Sequence, residues 1–118
     1  MKNEERAVCR RLYSMMKKDL SPWRWSEEKD AYIAEIKGLK LAIKNVNHGT
    51  SDKPEFHPRL LIEDSDGSTI IEGKYNDLVK KIYVYISIHY QDYNEQRIKR
   101  QVAMQHKRLL TKLSKIIQ

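Results

Sequence analysis

Between Tyr32 and Ile43, apolar side chains occupy every second position on both sides of the dipeptide Lys37-Gly38. Tyr32, Ala34 and Ile36 alternate with Ile33, Glu35 and Lys37, and Leu39, Leu41 and Ile43 alternate with Lys40, Ala42 and Lys44. A two-residue turn at Lys37-Gly38 pairs Ile36 with Leu39, Ala34 with Leu41 and Tyr32 with Ile43. Facing residues share a face of a sheet and the side-chain period is two, so all six lie together and the other face is largely charged. Lysine is a poor occupant of the first turn position, which demands positive φ. The pattern and the turn nevertheless agree on one register, and the rest of the chain has to be arranged around this antiparallel hairpin.

More strand material follows. Arg59 to Glu63 places Leu60 and Ile62 on one face and Leu61 on the other, Asp64-Ser65-Asp66-Gly67 reads as a turn, and Ser68 to Glu72 as a further short strand. Before the hairpin, Trp23 and Trp25 alternate with Arg24, so both indoles share one face of a short extended stretch. Val46 to Pro58 has no periodicity and contains Gly49, Pro54 and Pro58, which predicts a mobile loop.

Helical periodicity marks both ends. Between Asn3 and Asp19, Val8, Leu12, Met15 and Met16 fall on one helical face, and Ser21-Pro22 stops the helix. Asn76 is a good N-cap with Asp77 beside it. From Leu78 to Tyr90 two periods compete. Leu78, Ile82, Tyr85, Ile86 and His89 fit a helix, whereas Ile82, Val84, Ile86 and Ile88 fit a strand. The cap favours the helix. Asp92 with Glu95 resembles a capping pair that starts a second one. Beyond it Ile98, Val102, Leu109, Leu113 and Ile116 form a stripe that Leu110 and Ile117 widen.

Charge is concentrated at this end. The 118 residues hold 23 Lys+Arg and 16 Asp+Glu, for a formal net charge of +7. From Gln96 to Gln118 there are seven basic residues, Arg97, Lys99, Arg100, Lys107, Arg108, Lys112 and Lys115, and no acidic one. The remainder is formally neutral, so the excess belongs to the tail. An uncompensated field of this kind steers anionic partners. Three outcomes are open for it: the wet side of a packed helix, phosphate contacts to nucleic acid, or docking on an acidic protein surface or a second copy of the chain.

Motifs for chemistry are sparse. His48, His57, His89, His106 and Cys9 show no close ligand spacing, so neither metal nor cofactor is expected. Cys9 lies near an apolar helical face and reads as a small core residue. Asp64-Ser65-Asp66-Gly67 resembles the start of a calcium loop, but Tyr75 stands where the twelfth-position glutamate is needed. No phosphate-binding glycine loop, G-x-S-x-G or H-E-x-x-H occurs. Trp23, Trp25, Tyr83, Tyr85, Tyr90 and Tyr93 could stack bases, anchor a partner or fill a small core, and Tyr83 and Tyr85 cannot share a helical face.

No apolar run approaches the roughly 20 residues that span a bilayer. The N-terminus leads into no uninterrupted apolar stretch, and the single cysteine forms no internal disulfide. The expectation is therefore a cytoplasmic protein with no secretory signal and no membrane partner.

Trp25, the segment Tyr32-Ile33-Ala34-Glu35-Ile36-Lys37-Gly38, the segment Leu60 to Gly67 and the helix from Asp77 together resemble a diffuse group of small uncharacterised bacterial and phage α+β proteins. The shared positions are core and turn positions, so the resemblance implies a compact fold and transfers no functional residue. The helix–sheet–helix order also resembles the double-stranded-RNA-binding fold, with only Lys80-Lys81 for that family's lysine cluster and no Gly-Pro-x-His in the middle loop.

The expectation is an α+β single domain over residues 1–118. It has an N-terminal helix, an antiparallel sheet of three to five strands containing the Lys37-Gly38 hairpin, and a C-terminal helix or helix pair. Residues 96–118 form its basic amphipathic helix. Tyr32, Ile36, Leu39, Leu41, Ile43, Leu60, Ile62 and Ile82 should be core. The function that fits is a non-enzymatic binding module whose basic helix meets nucleic acid. The alternative is a regulatory factor that docks on protein or assembles into an oligomer through that helix.

Overall fold

The computed structural model describes residues 2–117; Met1 and Gln118 lie outside the described residues. The order of elements is α1 (Lys2–Lys18), β1 (Trp23–Ser26), β2 (Ala31–Ile36), β3 (Leu39–Asn47), β4 (Phe56–Glu63), β5 (Ser68–Glu72) and α2 (Asp77–Ile116). The chain is α+β. Its five strands form an antiparallel sheet in sequence order.

The hairpin register is the one the alternation predicts. Ile36 faces Leu39, Ala34 faces Leu41 and Tyr32 faces Ile43. Lys37 and Gly38 have φ of 51° and 83°. Both central residues are thus left-handed, which matches the right-handed twist of the flanking strands and makes lysine pay for a position glycine takes freely. The pairing extends outward through Trp23 with Ala34, Ile43 with Leu60, and Leu60 with Ile71. One face therefore carries Trp23, Ala34, Leu41, Ile43, Leu60 and Ile71, all buried.

Helix α2 meets this inner face and α1 meets α2. Tyr83 of α2 packs edge-on against Tyr32 at 6.2 Å, and Tyr85 against Tyr13 of α1 at 5.7 Å. Cys9, Leu12 and Met16 of α1 and Val79, Ile82 and Ile86 of α2 are buried. The segment from Leu78 to Tyr90 is therefore helical. Asn76 caps it, its Oδ1 accepting the Leu78 N–H at 3.0 Å while Nδ2 donates to Cys9 Sγ at 3.9 Å.

The structure corrects four expectations. Helix α1 is rotated from the predicted phase: Cys9, Leu12 and Met16 point inward, while Val8 and Met15 are 46% and 50% exposed. Apolar residues occupy adjacent angles there, and packing selects among them. Leu39 is exposed beside the turn, and Tyr32, Ile36 and Ile62 are half-buried towards the margins of the inner face. The stretch from Val46 to Pro58 is a loop only over residues 48–55, and both of its ends are strand. Strand β3 runs to Asn47 and β4 begins at Phe56, and the connection is pinned by Asn47 Oδ1, which accepts the N–H groups of Gly49 and Glu55, both at 2.9 Å. Finally, Asp92 and Glu95 start no second helix. Neither glycine nor proline occurs after Gly73, so nothing breaks α2 before Ile116.

Two compact units divide the chain between Ile88 and His89. The first holds the sheet, α1 and the start of α2. The second is helical from His89 to Ile116, about 42 Å of α-helix at 1.5 Å per residue. Among the described residues, no helix is long and apolar enough to cross a membrane.

Candidate functional site

The seven basic residues singled out in the sequence all lie in the second unit, on one uninterrupted helix. At 100° per residue, Arg97, Arg100, Lys107, Arg108, Lys112 and Lys115 fall within roughly 140° of its circumference, and Lys99 lies on the other side. Every described residue from Glu95 to Ile117 is exposed. Arg97 Nη2 donates to Asn94 Oδ1 at 2.8 Å, so its guanidinium is held by a neutral group and keeps its charge uncompensated. The ion pairs His48–Glu72, His57–Glu55 and Arg59–Glu72 lie in the sheet unit. Thr111 turns its hydroxyl to the Lys107 carbonyl at 2.9 Å and spends it within the helix.

The opposite side of this helix is apolar. Ile98, Val102, Leu109, Leu113 and Ile116 are 48–79% exposed and lie within roughly 60° of one line. A single helix cannot cover its own stripe, and exposed aliphatic patches of this size mark interaction surfaces.

The first unit carries its own charged cluster, on the sheet face away from the helices. Arg59 Nε donates to Glu72 Oε1 at 2.7 Å, and His57 Nε2 to Glu55 Oε1 at 2.9 Å. His48 Nε2 stands 3.5 Å from Glu72 Oε2, and both atoms are buried without a hydrogen-bond partner. The His48 and His57 rings meet edge-on at 5.6 Å. The hydrogen bond from His57 holds the Glu55 carboxyl below its usual range, helped by the charges of Lys74 and the two histidines. These groups tie the β3–β4 connection to β5. Sequence reasoning left His48, Glu55 and His57 in a loop. Continuing the alternation from Lys44 through Val46 to His48, and from Arg59 through His57 to Glu55, would have put them on one face.

Beside this cluster the outer face forms an open furrow of about 510 Å³, floored by Ala31, Ala42, Leu61 and Ile70 and flanked by Lys29, Lys44 and Arg59. Its floor is aliphatic, and its polar groups are charged side chains on the rim rather than donors and acceptors converging on a point.

The remaining candidates have structural work. Trp23 is core, while Trp25 is 39% exposed and packs edge-on against Tyr32 at 4.8 Å. Tyr83 and Tyr85 are both half-buried, each in a ring contact of its own. Asp64 Oδ1 accepts the N–H groups of Asp66 and Gly67 at 2.7 and 3.0 Å, which is the geometry of a turn. His89 and His106 lie on one helix, not two. Among the described residues, no group of three or more His, Cys, Asp or Glu side chains is arranged to hold a metal ion. Cys9 is buried against Asn76, and burial, with the nearby Glu5 charge, pushes its thiol up to about 11.

No protein-family profile, curated protein or solved structure matches the chain. Any functional reading therefore stands on the geometry above.

Proposed function

We propose that this chain is a binding module that docks on nucleic acid through the basic sector of α2. The observation that carries the proposal is the run of exposed basic side chains from Arg97 to Lys115 with no acidic residue among them. The eighteen helical steps from Arg97 to Lys115 rise about 27 Å, the length of roughly eight base-pair steps. A bare helix about 10–12 Å across fits the major groove, and a sector of this width lets Lys and Arg reach phosphates along its length. No base-reading constellation accompanies it, so the contact is one of charge and shape rather than of sequence.

Fluorescence anisotropy with a labelled duplex and a single strand of about 20 nucleotides, across a NaCl series, tests this. Five or six phosphate contacts predict a slope of log K against log salt near −5 for the duplex. Replacing Arg100, Arg108 and Lys112 by Glu should weaken binding to all sequences alike and flatten the slope by about three or more. Absence of binding at about 20 mM NaCl, or an affinity indifferent to salt, would remove the basis of the proposal.

A further inference from the structure

The basic sector leaves the apolar side of the same helix without a role. We infer that the cover for this stripe is the same stripe of a second copy, and that anions control the pairing.

The stripe suits another helix. Ile98, Val102, Leu109, Leu113 and Ile116 follow the 3.6-residue period closely, so their line stays straight along the axis and a like helix can lie against it over about 27 Å. With Leu110 and Ile117 these half-exposed side chains offer on the order of 500 Å² per helix, and about 1,000 Å² for a pair, the lower bound of a specific interface. Between Val102 and Leu109 the line is flanked by Gln105 on one edge and His106 on the other, and Lys99 lies on the side that Leu110 and Ile117 widen.

Charge then sets the condition. Helix pairs of this kind are usually completed by opposite charges beside the seam. Residues 96–118 contain no acid, so a second copy brings its own seven positive charges and nothing to neutralise them. Pairing is opposed at low ionic strength, where the screening length is about 20–30 Å, and released when salt shortens it or a polyanion occupies the basic sectors. Self-association therefore strengthens as salt rises, the reverse of phosphate binding. The salt arm stands independently of the proposed function; only the polyanion arm rests on it.

Sedimentation velocity of the full chain measures both. Near 20 mM NaCl the chain should sediment as a monomer, and near 500 mM as a dimer. Leu109→Glu with Leu113→Glu should keep it monomeric throughout, while helical circular dichroism and the unfolding midpoint of the sheet unit stay unchanged. Gln105→Leu narrows the polar gap and should strengthen association roughly tenfold or more. A duplex of about 20 base pairs should restore two copies per complex at low salt. A monomer at about 500 mM NaCl, association that weakens with salt, or a dimer that survives the double substitution each overturns the inference. So does a monomer at high salt whose stripe is captured by anionic phospholipid vesicles, since the cover would then be lipid. A salt-driven dimer that ignores nucleic acid keeps this inference and refutes the proposed function.

Discussion

Replacing Asn76 by aspartate separates two accounts of how α2 is anchored. At an exposed N-cap the two residues are about equal, and the carboxylate gains about 0.3–1 kcal/mol from the helix dipole. On propensity alone the substitution is neutral or stabilising. Asn76 is only 7% exposed, however, and its Nδ2 donates to the buried Cys9 Sγ at 3.9 Å. The introduced carboxylate would keep the bond from Leu78 N–H, lose the one to sulfur, and stand against a thiol that burial already holds neutral. Raising a buried carboxyl by one to three pH units costs about 1.4–4 kcal/mol when it is ionised, and the dipole and the weak S–H donor offset part of this. The expected net cost is about 1–3 kcal/mol at pH 7.

The pH dependence carries the proof. A carboxyl whose pKa is raised on folding incurs its penalty when ionised, so the deficit relative to the parent is small below about pH 4 and grows as pH rises through the folded pKa. Urea unfolding followed by the fluorescence of the buried Trp23, for both proteins at about pH 3.5 and pH 7, measures it. Asn76→Ala should cost about 1–2 kcal/mol at either pH, since it removes the cap without adding charge. An aspartate variant as stable as the parent at pH 7, or one whose deficit ignores pH, would mean that water reaches the cap and that the α1–α2 contact is not what fixes it.

Lys37→Asn should raise stability by about 0.5–1 kcal/mol, because asparagine accepts the φ of 51° found there more readily than lysine does; a lowered melting temperature would contradict the assigned turn. Cys9 should react with iodoacetamide on the order of a hundredfold more slowly in the folded than in the unfolded chain near pH 8. Because its pKa is raised to about 11, its contribution to stability is intact below about pH 9 and is lost as pH climbs towards 11, a loss of up to about 2–3 kcal/mol that Cys9→Ala should abolish.

The hairpin was legible in the sequence because a two-residue turn and a period of two leave only one register compatible with a buried face. The cap at Asn76 was legible for a similar reason, since a short polar side chain before an apolar period has one local use. The phase of α1 was not. Val8, Cys9, Leu12, Met15 and Met16 make a broad apolar arc, and only contact with the rest of the fold chose Cys9, Leu12 and Met16 from it. The ends of β3 and β4 were hidden by glycine, prolines and polar residues that signal a loop, although the ladder pairs Asn45 with Pro58 and Asn47 with Phe56. For the candidate site the charges could be counted directly. The unbroken helix that gathers six of the seven into one sector, and the exposure of the stripe opposite, required the coordinates.

By itself the sequence determined the local geometry of this protein: the hairpin and its register, the helix start at Asn76, the absence of any later helix breaker, and the one-sided charge of its last 23 residues. Each follows from steric or electrostatic preferences of residues near one another in the chain. The tertiary structure decided which faces are buried, brought His48, Glu55, His57, Arg59 and Glu72 onto one face, and left the Ile98–Ile116 stripe in water. Burial is a property of neighbours distant in sequence, and a periodic pattern names a face without saying what will cover it.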